Sequence, residues 1–194
     1  MKNTTLLALA LAAAGASAHA ADISYDYAQL DYLRMKGDES ANNVRLSGSA
    51  TLGDSHFYLT GSYLPKGDIP HYSHTHDDFG MTSFGGGYFW NLGENTTLHT
   101  QLTANHNDWT DSAIRFDAGV RHAYGDNWEF GGGIGYIDHD GSDYGKQLLF
   151  NANAQYKFND TWGVVLAAEF GDFTDDSYDL TFDKAYTVGV RASF

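Results

Sequence analysis

The sequence predicts an all-β fold: a transmembrane, antiparallel, up-and-down β-barrel of about ten strands, with eight strands as the alternative count. Three observations predict it. Apolar and polar residues alternate along the chain, short connections alternate with long ones, and aromatic residues stand beside both kinds of connection. A soluble β-sandwich or a lipocalin-like barrel would share the alternation, but it would not require the other two features.

The alternation is clearest between residues 148 and 158, where every second residue is apolar and most of the others carry an amide or a charge. Because successive side chains of a strand point to opposite faces, this segment has one apolar and one polar side. The first strand changes phase near Ala28, and we expect a β-bulge there. The predicted strands are 23–33, 44–52, 56–64, 79–90, 97–106, 113–124, 128–138, 147–158, 162–170 and 180–194.

The connections and their aromatic residues suggest how the barrel sits in a membrane. Outer-membrane barrels have short periplasmic turns, long extracellular loops and a girdle of aromatic residues at each interface. The short connections are 53–55, 91–96, 125–127 and 159–161, and the long ones are 34–43, 65–78, 107–112, 139–146 and 171–179. Beside the short turns lie Phe57, Trp90, Tyr124, Trp128, Phe158, Trp162 and Phe194, and near the long loops lie Tyr32, Tyr63, Tyr136, Phe170 and Phe182.

Both ends of the chain carry export features. Residues 1–20 read as a signal peptide, with Lys2, an apolar run and a small-residue cleavage site, which leaves 21–194 as the outer-membrane barrel domain. The last strand ends in Phe194, which resembles the C-terminal signature for membrane insertion, so we expect the barrel-assembly machinery to be a partner. The chain contains no cysteine, so disulfides do not stabilise it.

The alternation also assigns charged residues to the lumen. Buried charges are tolerated when they are paired, and water-filled channels are typical of barrels with about sixteen or more strands. A balanced set of acids and bases therefore predicts a lumen plugged by an ion-pair network, in which the glycines of 131–135 relieve crowding. The predicted network is Asp31, Arg45, Arg115, Asp117, Arg121, Glu129, Lys157, Glu169, Asp183 and Arg191.

The charge balance constrains the partners. The formal net charge is −14, and most of the excess acid falls in the long loops. Acidic loops repel phosphate, so nucleic acid is not an expected partner. We expect outer-membrane lipids and lipopolysaccharide, with divalent cations bridging acidic loops to the anionic surface, and a monomeric barrel. The plainer alternative is a solvated acidic rim.

The second long loop holds a possible metal site. His71, His74, His76 and Asp77 offer imidazole and carboxylate ligands suited to zinc, copper or nickel. The alternative is a polar loop whose histidines gain charge near their reference pKa. Apart from such a divalent cation at the surface loops, we expect no cofactor.

The chain offers no set of catalytic residues that we can identify. It lacks a GxSxG nucleophile elbow and the paired Asp-Asp and Asp-His motifs of omptin proteases. We expect a non-enzymatic barrel that acts in envelope structure, surface interaction or signalling. The alternative is a narrow, porin-like channel for small solutes.

The stretch 21–32, with its Ser24-Tyr25 and following aromatic residues, resembles the start of the mature chain in the sulfation-dependent quorum factor family. The resemblance covers about 20 residues, and the rest agrees only in strand layout. It implies a small outer-membrane barrel linked to quorum sensing and biofilm traits, with a sulfated tyrosine at Tyr25. The strand pattern assigns Tyr25 a simpler role as a structural aromatic in the first strand.

Overall fold

The computed structural model describes residues 23–37, 40–69, 77–107, 111–139, 146–172 and 182–194, with the backbone alone at 67–69, 77–79, 107, 111, 172 and 182–183. Ten strands lie within these ranges. They are β1 (Tyr27–Gly37), β2 (Ser40–Thr51), β3 (Phe57–Ile69), β4 (Asp77–Asn91), β5 (Thr96–Asn107), β6 (Asp111–Tyr124), β7 (Trp128–His139), β8 (Lys146–Lys157), β9 (Trp162–Asp172) and β10 (Phe182–Ser193). Among these residues, no helix is long and apolar enough to cross a lipid bilayer.

The strands close into one antiparallel barrel in the order β1-β10-β9-β8-β7-β6-β5-β4-β3-β2. Each strand pairs with its neighbours in the chain, and the ring is completed where β1 pairs with β10, from Tyr27 opposite Ser193 to Lys36 opposite Lys184. Because the ring is closed, none of the ten strands is an edge strand. The predicted ten-strand, all-β barrel is therefore confirmed.

The apolar face of the barrel points outward. Phe150, Leu166 and Val190 are all exposed, so they do not meet in a central core. The soluble alternative, which needs these side chains inside, is wrong. Ten described aromatic residues of the two predicted girdles are exposed too, whereas Phe194 is half-buried. The exposed ones are Phe57, Trp90, Tyr124, Trp128, Phe158 and Trp162 at the short-turn end, and Tyr32, Tyr63, Tyr136 and Phe170 at the long-loop end.

Most strands extend further toward the long loops than the sequence predicts, although β10 begins at Phe182 and not at residue 180. Residues 34–43 were expected to form a connection, yet 34–36 pair with 40–42 as the ends of β1 and β2. The outward residues there are Arg34, Lys36 and Asn42 instead of apolar ones, and a polar strand end shows no hydrophobic period. The alternation of apolar and polar residues therefore marked only the lipid-facing part of each strand and did not include the polar strand ends.

The bulge expected near Ala28 is absent. The register of β1 is continuous from Tyr27 to Lys36 on both sides, and its one irregularity with β10 lies between Lys36 and Gly37. The apparent phase change has another cause. Tyr25 and Tyr27 share the inward phase of Gln29, so two aromatic residues occupy lumen positions that the sequence interpretation reserved for polar ones.

Glycine is required in two of the short turns. Gly53 and Gly125 have φ angles of 59° and 60°, in the left-handed region that side chains disfavour. Each lies at the tip of a hairpin, where the strands reverse at the short-turn end.

Replacing Leu166 by arginine tests the outward apolar face. Leu166 is 56% exposed on β9, and a charge at that position would meet hydrocarbon. We expect the free energy of unfolding in lipid vesicles to fall by about 2–4 kcal/mol. Denaturant titration of the vesicle-bound protein, followed by tryptophan fluorescence, measures it.

Leu92→Arg is the matched control, because Leu92 is equally apolar and exposed but lies in a short turn beyond the strands. Its free energy of unfolding should change by less than about 1 kcal/mol. Equal losses for the two variants would show that the outward face is not in hydrocarbon.

Candidate functional site

The lumen holds the charged and polar side chains that could carry function. Alternate residues of every strand point into it, and many of them are buried polar groups. Because water is scarce there, each charge needs a partner inside the barrel. The buried polar residues include Gln29, Asp31, Thr103, Asn105, Asp117, Arg121, Glu129 and Gln155.

Arg121 and Glu129 form the most deeply buried ion pair. Nε of Arg121 donates to Oε1 of Glu129 at 2.7 Å, and the two side chains are only 10% and 2% exposed. They come from the hairpin of β6 and β7, whose short turn places both near the short-turn end of the lumen. Because both side chains are almost completely buried, the surrounding residues of the lumen fix the geometry of this ion pair.

Arg115 links two walls of the lumen. Its guanidinium donates to Asp117 on its own strand at 2.7 Å and to Glu169 on β9 at 2.7 Å. The wall between contains Gly135, where a Cβ would lie 2.7 Å from Oδ1 of Asp117. The glycine therefore leaves the space that the Asp117 carboxylate occupies.

Asp31 and Arg45 form a third paired set, on the opposite wall. Nη2 of Arg45 donates to Oδ2 of Asp31 at 3.0 Å, and Nε2 of Gln29 donates to the other oxygen at 2.6 Å. On β10, a Cβ at Gly189 would overlap this carboxylate. As on the other wall, a glycine faces a buried acid.

Arg191 is held by amides. It donates to the side-chain oxygens of Gln29 at 2.6 Å and Gln155 at 3.1 Å. Its guanidinium also lies 4.2 Å from the ring centroid of Tyr27, in cation–π geometry. Neutral partners thus hold a charge that the sequence analysis expected to sit in an ion pair.

Tyr25 is buried at the short-turn end of the lumen. It lies just before β1 and is 5% exposed. Its ring stacks on Phe89 of β4 at 4.3 Å, its hydroxyl is 2.9 Å from Oγ1 of Thr97 on β5, and the guanidinium of Arg121 lies 4.6 Å from its ring centroid. One side chain that enters beside β1 therefore reaches the far wall.

Tyr58 completes this aromatic cluster from β3. Its ring lies 4.9 Å from that of Tyr25, and a Cβ at Gly87 would collide with it. We call Tyr25, Tyr58, Phe89, Arg121 and Glu129 the plug. The glycine-rich stretch of β4 gives the plug its room.

A set of hydrogen bonds holds the segment that carries Tyr25. The Asp26 carboxylate accepts from the hydroxyl of Thr51 at 2.9 Å and from its backbone N–H. Ser24 donates to the carbonyl of Phe194 at 3.2 Å, and the N–H of Phe194 donates to the carbonyl of Asp26 at 3.1 Å. Residues on both sides of Tyr25 are therefore anchored to β2 and to residue 194.

Several predicted site residues lie outside the described parts of the chain. His71, His74 and His76 do so entirely, and only the backbones of Asp77 and Asp183 are described. Within the described ranges no group of three or more His, Asp or Glu could hold a metal ion, so the loop metal site stays a prediction. Lys157 lies at the short-turn end of β8, in the inward phase of Gln155.

The sequence interpretation missed the plug. It assigned Tyr25 to the first strand as an ordinary aromatic, and it did not link Tyr58 and Phe89 to the lumen. The sequence did contain an indication of the plug. Tyr25 and Tyr27 have the same place in the alternation as the inward Gln29, and an aromatic side chain that points into a narrow barrel must extend across the lumen.

Solved structures share the fold. The NanC porin matches with a TM-score of 0.60 at 12% identity, over 86% of this chain and 100% of that one. The KdgM porin matches with a TM-score of 0.50 at 13% identity, over 86% and 99%. No family model matches the chain, and a search of curated proteins found no match. The chain has a porin-like barrel fold, and its resemblance to the quorum factor family stays a prediction.

Replacing Glu129 by glutamine should destabilise the barrel. The change leaves the buried Arg121 guanidinium without its carboxylate, and breaking such a pair costs about 3–5 kcal/mol. Urea unfolding of the refolded protein, followed by the shift between folded and unfolded gel bands, measures the loss.

Asp138→Asn provides the comparison, because it breaks the pair that Asp138 forms with Lys146 at 3.7 Å, where both side chains are well exposed. An exposed pair contributes less than about 1 kcal/mol. If both variants unfold at the same urea concentration, the plug does not depend on the buried pair.

Proposed function

We propose that the protein is a non-enzymatic outer-membrane barrel whose lumen is closed at the periplasmic end by the plug. Its short turns face the periplasm and its long loops face outward. Such a barrel contributes to envelope structure or surface interaction and does not pass solutes while the plug is seated.

The seating of Tyr25 carries this proposal. Its ring contacts groups from β3, β4, β5 and β6, while its backbone is fixed beside β1 and β2. One residue in contact with four other strands leaves little cross-section for water or ions.

The other charged layer is wetter. The side chains of Arg115 and Glu169 are 23% and 33% exposed, against 10% and 2% for Arg121 and Glu129. The Arg115 layer is therefore more accessible to solvent than the Arg121–Glu129 pair of the plug. Displacing the plug should decide whether the barrel conducts.

A narrow channel for small solutes is the second candidate. It is favoured by the fold shared with NanC and KdgM porins, and a KdgM porin has been solved in complex with disordered oligogalacturonate. Arg45, Arg115 and Arg191 would suit acidic solutes of that kind. In this case the plug would have to move.

A signalling role through sulfation of Tyr25 is less well supported. The phenol oxygen lies 2.9 Å from Thr97 on a buried ring, so the folded barrel offers no room for a sulfate ester there. Any such modification would have to precede folding. A role in quorum or biofilm traits would then need another part of the protein.

Single-channel recording in planar bilayers tests the closed barrel. The purified wild-type protein should insert without steady current. Tyr25→Ala should give stepwise currents, because it removes the tyrosine ring from the plug while leaving the Arg121–Glu129 pair in place. Steady wild-type currents would favour the channel instead.

Tyr124→Ala is the matched control, since Tyr124 is the same residue type near the same end but points outward. It should remain as silent as the wild type. A silent Tyr25→Ala protein that is folded and inserted would show that Tyr25 does not close the lumen.

A further inference from the structure

The short segment that carries Tyr25 lies outside the barrel wall. We call residues 23–26 the Tyr25 segment. β1 begins at Tyr27, and within the described part of the chain the backbone of Tyr25 forms no hydrogen bond with another backbone group. Only its side chain reaches into the lumen, where it belongs to the plug. The Tyr25 segment can therefore move without breaking the hydrogen bonds that pair the ten strands.

The Tyr25 segment is also braced within itself. The hydroxyl of Ser24 accepts a hydrogen bond from the N–H of Asp26 at 3.0 Å, which closes a short turn around Tyr25. A turn made by a serine hydroxyl stabilises the local backbone without help from a neighbouring strand. The turn and its tyrosine ring can thus move as one unit.

Tyr27 fixes the point at which such a movement pivots. It pairs with Ser49 of β2 on one side and with Ser193 of β10 on the other. The guanidinium of Arg191 lies 4.2 Å from the centroid of its ring. Because the chain is held on both sides from Tyr27 onward, the backbone just before this residue is where the fixed wall meets the movable segment.

The groups that Tyr25 contacts keep other partners when its ring leaves. Phe89 also contacts the ring of His56, at 4.8 Å between the centroids. Arg121 stays in its ion pair with Glu129. No buried charge of the plug loses its counter-charge, so withdrawal of the ring avoids the large cost of an unpaired buried ion.

Asp26 ties the Tyr25 segment to the wall by two hydrogen bonds at once. Its carboxylate accepts one from the hydroxyl of Thr51 on β2 at 2.9 Å and one from the backbone N–H of the same residue. Hydrogen bonds to a charged carboxylate are roughly twice as strong as those between neutral groups. The contact between Asp26 and Thr51 is therefore the tie whose loss should release the segment.

We propose that the Tyr25 segment is a gate and that the contact between Asp26 and Thr51 is its latch. When the latch opens, the segment turns about the backbone before Tyr27 and its ring leaves the lumen at the short-turn end. When the latch closes, the ring returns to its stack on Phe89. The closed barrel and the narrow channel are then two states of one molecule. This inference rests on the proposed closure of the lumen by the plug.

A single cysteine reports the opening, since the chain has none of its own. Thr97→Cys places a thiol beside the Tyr25 hydroxyl, at a position that is 5% exposed. A water-soluble methanethiosulfonate reagent should label this refolded, full-length protein slowly, because the labelling rate follows the fraction of time for which the gate is open. Adding Asp26→Ala removes two hydrogen bonds to a charged group and should speed the labelling by at least about tenfold.

Variants at Thr51 test the latch from its other side. Thr51→Val keeps the shape and the backbone N–H but removes the hydroxyl, so it should also speed the labelling, by less than Asp26→Ala does. Thr51→Ser keeps the hydroxyl and should label as slowly as the reporter protein alone. Asp54→Ala is the matched control, because it removes an exposed acid from the nearby turn between β2 and β3. Equal rates in all variants, or an equal gain in Asp54→Ala, would overturn the latch.

A second reporter separates the opening of the gate from a general loosening of the barrel. Ala113→Cys places the thiol at an inward position that is 1% exposed near the long-loop end of β6. Asp26→Ala should leave the labelling rate there unchanged, because the strands stay paired. Faster labelling at both positions would refute the gate. The unboiled gel shift verifies that each variant is folded.

Single-channel recording distinguishes failure of the gate from failure of the proposed function. Asp26→Ala should give intermittent currents, since its ring still returns to the lumen, whereas Tyr25→Ala should conduct steadily. Steady wild-type currents, or a silent Tyr25→Ala protein, would defeat the proposed closure itself. If Tyr25→Ala conducts while Asp26→Ala stays silent and labels slowly, the plug stands and the gate is wrong.

Discussion

The narrow ring is the constraint on which the rest of the structure depends. Ten strands enclose a space that one tyrosine can cross, so every inward group must fit with the groups on the facing wall. Charges inside such a ring lose most of their water, and isolated ones would be too costly to bury. In this lumen the buried charges are stabilised by ion pairs, by hydrogen bonds to side-chain amides and by cation–π contacts with tyrosine rings.

Glycine provides the space for these contacts. Gly87 makes room for the Tyr58 ring, Gly135 for the Asp117 carboxylate and Gly189 for Asp31. In each case a large inward group on one strand faces a glycine on another. These glycines therefore reflect the geometry of a crowded interior, and in the described part of the chain only Gly53 and Gly125 have positive φ angles.

The sequence predicted the architecture well because lipid and lumen impose opposite demands on alternate residues. Strand number, the outward apolar face and the two aromatic girdles all follow from that period. Individual partners could not be predicted, because they depend on register across the ring: nothing in the sequence pairs Arg115 with Glu169 or Arg191 with two glutamines. Tyr25 was misassigned since a period-two pattern cannot say how far an inward side chain reaches.

The seam between β1 and β10 differs from every other strand pair in how it must form. All other neighbours are successive hairpins, whereas this pair joins residue 27 to residue 193. The entropy cost of closing a loop grows with the length of chain that it encloses. We therefore expect the β1–β10 pairing to form last and to open first. Ser24 and the carbonyl of Asp26 bond to Phe194 across this seam, so the segment that carries Tyr25 gains these two hydrogen bonds only when the seam has formed.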